Sequence, residues 1–166
     1  MKYALIMMLA TVIGFTAKAQ STDTFHLYKP EANATAEIAK AVAEAKQQNK
    51  NVLLQIGGNW CIWCLRFNKL TTEDAQLDSA LHHNFVVYHL NYSKENKNLN
   101  VLAQYQFPQR FGFPVFVILD KNGNRIHTQN SSYLEEGKGY NKEKILEFFN
   151  DWSPAAINPD SYKAKD

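Results

Sequence analysis

Val52-Leu53-Leu54-Gln55-Ile56 leads through Gly57 and Gly58 into Asn59-Trp60-Cys61-Ile62-Trp63-Cys64. A short apolar run, a glycine pair and a helical sequence read as strand, tight turn and helix N-terminus. Cys61 and Cys64 are the only two cysteines in the chain. Three residues apart on one face of a helix, their sulfurs are near enough to bond. A helix N-terminus leaves amide N–H groups unpaired and carries partial positive charge, so it favours a thiolate at Cys61. Thiolates in this setting have pKa values of roughly 3.5–7.5. Cys61 is therefore expected to be the exposed nucleophile, and Cys64, a turn further in, the resolving thiol.

Other uses of the pair fit less well. Zinc needs two further ligands, there is no third cysteine, and His82 and His83 are adjacent rather than spaced along a helix. Covalent haem needs histidine directly after the second cysteine, where Leu65 stands. A structural disulfide without turnover stays open, although so short a loop constrains the unfolded chain little. Redox chemistry is the favoured reading, with no metal and no cofactor beyond the cysteine pair itself.

The sequence resembles the thioredoxin-fold family, and most of all its secreted members in which Trp-Cys-x-x-Cys follows the first core strand. A second matching signature is Phe111-Gly112-Phe113-Pro114, followed by Val115-Phe116-Val117-Ile118-Leu119. The match covers residues 32–152. It implies an α/β thioredoxin fold, a central mixed β-sheet flanked by helices. It also implies a cis peptide bond before Pro114, with Pro114 holding an extended substrate strand beside the reactive sulfur. Cis X–Pro bonds are uncommon enough to be deliberate features.

Residues 1–19 begin with Lys2, continue through an apolar stretch from Ala4 to Phe15 and end in Ala17-Lys18-Ala19. That is the pattern of a signal peptide cut before Gln20. A retained anchor is the alternative, but the apolar run is short of the about 20 residues that cross a bilayer. The expected organisation is a signal peptide (1–19), a thioredoxin-like domain (20–153) and a C-terminal tail (154–166). Export places the mature protein in the periplasm or outside the cell, where a cysteine pair needs a redox partner to stay reduced. Roughly 147 residues remain, enough for one domain with a core. Losing Lys2 and Lys18 leaves 16 basic residues against 16 acidic ones. A chain of about zero net charge offers no basic face for nucleic acid.

Several elements follow from pattern. Phe25, Leu27 and Tyr28 are expected to add an edge strand. Residues 31–49 form an alanine-rich amphipathic helix with Ile38, Val42 and Ala45 inward. A helix runs on from Cys64, with Thr72 as the N-cap of its continuation through Leu77 and Leu81. Residues 84–91 form a second core strand, and a short helix spans 99–105. Strands 115–119 and 125–129 flank Asp120-Lys121-Asn122-Gly123, where Asn-Gly signals a hairpin. Residues 131–140 read as a loop. Asn141 caps a last helix with Ile145, Leu146, Phe148, Phe149 and Trp152 buried, and Pro154 opens a loose tail.

Departures from the family pattern bear on mechanism. Classical members bury an acid six residues before the first cysteine, and here that position is Gln55, which cannot titrate. Gln55 either joins a proton relay or merely faces a turn. Lys69 and Glu73 are near in sequence, with nothing to show that they reach Cys64. Ile62-Trp63 lacks the histidine of strongly oxidising relatives, which favours a reducing or intermediate potential. Trp60 is expected to shield the disulfide and shape the docking surface. Trp63 either contacts substrate or packs, and Phe113 is expected to influence partner choice. Phe107, Phe111 and Phe116 read as core, His82-His83 as a solvated helix end, and Arg66 as pointing away from Cys61.

The resulting expectation is an exported thiol–disulfide oxidoreductase, acting as a reductant on protein thiols and disulfides. Its electron donor is an unidentified membrane or periplasmic protein, and the chain is expected to be a monomer. The alternative is a non-catalytic client-binding module built on Trp60, Trp63, Phe113 and Pro114. A copper-handling role fits less well, because the cysteine spacing is one residue short.

Overall fold

The computed structural model describes residues 26–163. The expected leader and Phe25 lie outside the described residues. Asn33 opens α1 (Ala34–Gln48), its side chain accepting from the Ala36 N–H, and Asn49 closes it in the left-handed region at φ 52°. The chain then enters β1 (Asn51–Gly57), every residue of which is buried. Two helices follow, α2 (Ile62–Glu73) and α3 (Ala75–Asn84). They form the crossover that lets β2 (Phe85–Asn91) lie parallel to β1. After α4 (Leu99–Gln104) come β3 (Val115–Leu119) and β4 (Arg125–Asn130), antiparallel to one another. The sheet order is β2-β1-β3-β4, with β3 antiparallel to β1.

Helices cover both faces, which is why β1 and β3 read as nearly unbroken apolar runs. Val52, Leu54 and Ile56 turn toward Ile38, Ala41 and Ala45 of α1. Leu53 turns the other way, toward Phe67, Leu77, Phe116 and Ile118. Phe148 and Phe149 of α5 (Lys142–Asp151) close that second core. This is the α/β thioredoxin fold that the sequence leads one to expect. It sets the end of β1 beneath the start of α2, with Pro114 and β3 alongside.

The structure departs from expectation at several places. Leu27 and Tyr28 add no edge strand, because the side chain of Asn59 takes up the backbone of Tyr28 and the Tyr28 ring turns inward. Thr72 lies inside α2, donating to the Asn68 carbonyl. The cap of α3 is Asp74, which accepts from Gln76 and Leu77 and is held by Lys142 at 2.7 Å. A carboxylate that binds two orphan amides and a lysine outcompetes a threonine that can satisfy itself within its own helix. Residues 131–140 hold a 3-10 turn and a small ribbon, β5 (Glu135–Glu136) with β6 (Gly139–Tyr140). Phe107 and Phe111 are exposed rather than core. The described part of the tail forms a 3-10 turn at Pro159–Tyr162, tied back by Ser161 and Tyr162 to the carbonyls of Ala155 and Ala156.

Candidate active site around the Cys61–Cys64 disulfide

Cys61 and Cys64 are joined in a disulfide. Cys61 is the N-cap of α2, and its sulfur accepts the Cys64 N–H at 3.1 Å. When the disulfide opens, that amide and the positive end of α2 face the Cys61 sulfur and stabilise negative charge on it. The expected exposure of Cys61 needs correction. It is only 4% exposed in the disulfide form, and Leu27, Trp63 and Phe113 pack against the cluster it makes with Cys64 and Tyr28. Cys64 is fully buried.

Outside the disulfide lies an apolar rim. Trp60 is 58% exposed and anchored by its indole N–H to the Tyr92 carbonyl at 2.7 Å. Its ring stands edge-on to Phe113 at 5.4 Å, and Phe113 lies against Tyr92 at 4.8 Å. The Phe113–Pro114 peptide is cis, as the resemblance implies. Within the dipeptide between the cysteines, Ile62 is the outward residue. Trp63 is half-buried, edge-on to Tyr140 at 5.6 Å, with the Arg66 guanidinium 5.1 Å above its ring.

Beneath the disulfide lies a polar floor, and here sequence reasoning saw least. Gln55 does not face a turn. It is buried, donating through Nε2 to the Tyr28 hydroxyl at 2.8 Å and to the Cys64 carbonyl at 3.1 Å. Tyr28 is fully buried, its backbone N–H and carbonyl both engaged by the Asn59 side chain at 3.0 and 2.8 Å. His89, opposite Gln55 on β2, stands edge-on to the Tyr28 ring at 5.5 Å. Burial pulls its pKa down to about 4, so it is neutral near pH 7. Burial pushes the Tyr28 phenol up, so it keeps its proton. Gly57 is required at the join. A methyl group there would lie 2.3 Å from Cys64 Sγ and 3.0 Å from the Tyr28 oxygen.

Other sequence candidates lie elsewhere. Lys69 and Glu73 face each other at 4.0 Å on the surface of α2, away from Cys64. His82 bonds to the Asp78 carbonyl and carboxylate on α3. Among the described residues no three His, Cys, Asp or Glu side chains gather as a metal-binding group. The floor residues Tyr28, Asn59 and Gly57 were missed. One signal pointed to them: a glutamine in an otherwise apolar buried strand needs polar partners.

Comparison with known proteins agrees with this geometry. The chain is 29% identical to the thiol:disulfide interchange protein DsbD of Vibrio vulnificus over 112 residues, 68% of this chain and 18% of that protein. The corresponding protein of Colwellia psychrerythraea is 24% identical over 108 residues, 64% of this chain and 17% of its own length. The chain thus spans less than a fifth of these relatives. Among solved structures, a disulphide isomerase from Xylella fastidiosa superposes with a TM-score of 0.66 at 25% identity, covering 75% of this chain and 94% of that one. The C-terminal domain of Neisseria meningitidis DsbD, in its oxidised form, shares the fold at a TM-score of 0.52 and 20% identity, covering 73% and 97%. The profile of the Thioredoxin-like family matches residues 33–121, which take in the Cys-x-x-Cys pair and Pro114, and the chain belongs to that family.

Proposed function

We propose that this protein is an exported thiol–disulfide oxidoreductase that reduces disulfides in other proteins through Cys61 and Cys64. The observation that carries the reading is Cys61 Sγ at the N-terminus of α2, accepting the Cys64 N–H. In the dithiol form the Cys61 thiolate attacks one sulfur of a client disulfide. A mixed disulfide forms, and the other client sulfur leaves as a thiolate. Cys64, once deprotonated, attacks Cys61 Sγ. The client's second sulfur is released, and the Cys61–Cys64 bond forms. The client gains two electrons and two protons, and an electron donor at the membrane or in the periplasm must return them. Trp60, Trp63, Phe113 and Pro114 are the client-binding residues in this scheme. The leader at residues 1–19 directs export, the mature domain acts as a monomer, and the disulfide is its only redox group. The names of the relatives, thiol:disulfide interchange protein and disulphide isomerase, support exchange with protein thiols.

Equilibration in glutathione buffers, scored by alkylation of the two cysteines, tests this. A potential near or below about −230 mV is expected of a reductant, and one near about −120 to −180 mV would assign an oxidase or isomerase. Cys61→Ser is expected to abolish exchange, and Cys64→Ser to trap a mixed disulfide with clients. A pair that never exchanges leaves the client-binding module as the reading.

A further inference from the structure

Gln55 replaces a titratable acid beneath the cysteines, and its hydrogen bonds determine what its neighbour can do. The Cys64 carbonyl can only accept, so the Gln55 NH2 group must face it. The same nitrogen meets the Tyr28 oxygen at 2.8 Å. Tyr28 therefore accepts from Gln55, and its own proton remains for another acceptor. The Tyr28 oxygen and Cys64 Sγ crowd the same point beside Gly57, at 3.0 and 2.3 Å from where a methyl group would sit. Tyr28, Cys61 and Cys64 form one buried cluster. Tyr28 precedes the family match at 33–121, yet Asn59, two residues before Cys61, grips its backbone at both the N–H and the carbonyl.

We infer that the Tyr28 hydroxyl is the hydrogen-bond donor to Cys64 Sγ whenever the disulfide is open, lowering the cost of forming the resolving thiolate from a Cys64 thiol that a neutral Gln55 cannot deprotonate. The inference rests on the thiol-exchange reading above. In the resolving step Cys64 gives its proton to solvent or to the departing client thiolate, and Tyr28 stabilises the charge left on sulfur without losing its own proton. In the reverse direction Cys64 leaves as a thiolate into the same hydrogen bond. Buried phenols hold their protons, so Tyr28 serves as a fixed donor and never as a base. The titratable groups that face it are His89 on β2, edge-on to its ring, and Tyr140 on β6, whose hydroxyl donates to the Trp63 carbonyl; the Arg66 charge lies over the Trp63 ring.

The test measures the Cys64 thiol pKa in a Cys61→Ser background, from thiolate absorbance and alkylation rate against pH. Tyr28→Phe keeps the ring and is expected to raise that pKa by about one unit. Fluorotyrosine at position 28 keeps the shape and makes a more acidic donor, and is expected to lower it. The fluorinated chain decides the matter where Tyr28→Phe does not fold. A Cys64 pKa that stays put with fluorotyrosine overturns the inference, since a packing role would not follow the acidity of the phenol. Glutathione exchange by the wild-type protein separates the two levels. Wild-type exchange with an unmoved Cys64 pKa removes only the role of Tyr28, whereas absent exchange removes the oxidoreductase reading itself.

Discussion

The two sides of the disulfide reverse the usual arrangement of a globular protein. Its solvent side is apolar, with Trp60, Ile62 and Phe113 presenting rings and methyl groups. Its protein side is polar, with Gln55 and the Tyr28 hydroxyl enclosed beneath and His89 half-buried beside the Tyr28 ring. Exposed apolar groups gathered at one spot mark a surface meant for a partner. Buried polar groups persist only when their hydrogen bonds are met. The rim is therefore free to vary with the client, whereas the floor is fixed by its own bonding. Changes to the floor are expected to move stability and thiol chemistry, and changes to the rim only client affinity.

The strongest way to break this division is Gly57→Ala. The added methyl would meet Cys64 Sγ at 2.3 Å, closer than any ordinary contact, and neither the disulfide nor the tethered Tyr28 can move aside cheaply. The expected loss is about 3 kcal/mol of stability, the upper end for overpacking. Denaturant unfolding of the oxidised protein reads this directly. A loss below about 0.5 kcal/mol would mean that the floor is loose, and the contrast with the rim would fail.

His89 probes the same floor through pH. Its folded pKa of about 4 lies below the ordinary 6.5, so between those values the unfolded chain binds a proton that the folded chain refuses. Stability is then full above about pH 6.5 and falls as pH drops toward 4, by up to about 3 kcal/mol. Asp74 and Asp120, both held below the usual carboxylate range, act at lower pH and fall outside most of that window. His89→Leu is expected to flatten the slope of the unfolding midpoint between pH 6.5 and 4.5. An unchanged slope would assign the acid sensitivity elsewhere.

The rim and the frame were legible in the sequence, and the floor was not. Strand β1, the hairpin at Asn122-Gly123 and the amphipathic α5 each declare themselves through local periodicity or turn chemistry, which neighbouring residues suffice to carry. Cys61, Cys64 and Pro114 stand in motifs whose geometry is local for the same reason. Tyr28 meets Gln55 across 27 positions and Asn59 across 31. No pattern within a window records such a meeting, and in an extended segment Leu27 and Tyr28 look like a strand. Phe107 and Phe111 mislead in the opposite sense. Aromatic residues beside a core strand read as core, but Phe107 sits at φ 56° and the 3-10 turn Pro108–Phe111 carries both rings outward.

Trp60→Ala tests the rim and is the gentlest of these changes. The indole bonds only the Tyr92 carbonyl and leans on Phe113, and most of its surface already faces solvent. Removing it costs the fold little, since a Tyr92 carbonyl at the surface can turn to water. What it removes is a large rigid ring beside the sulfur, a type of residue that often anchors protein contacts. The expected effect is a rise in KM for a protein disulfide of about fivefold to tenfold, equivalent to ~1 kcal/mol of client binding. The glutathione potential and the Cys64 pKa are expected to stay where they are, because the indole hydrogen-bonds the Tyr92 carbonyl and neither a cysteine nor a floor residue. A shift in potential with no change in KM would place Trp60 with the floor, and the division between a client-reading rim and a thiol-tuning floor would have to be redrawn around the whole aromatic cluster.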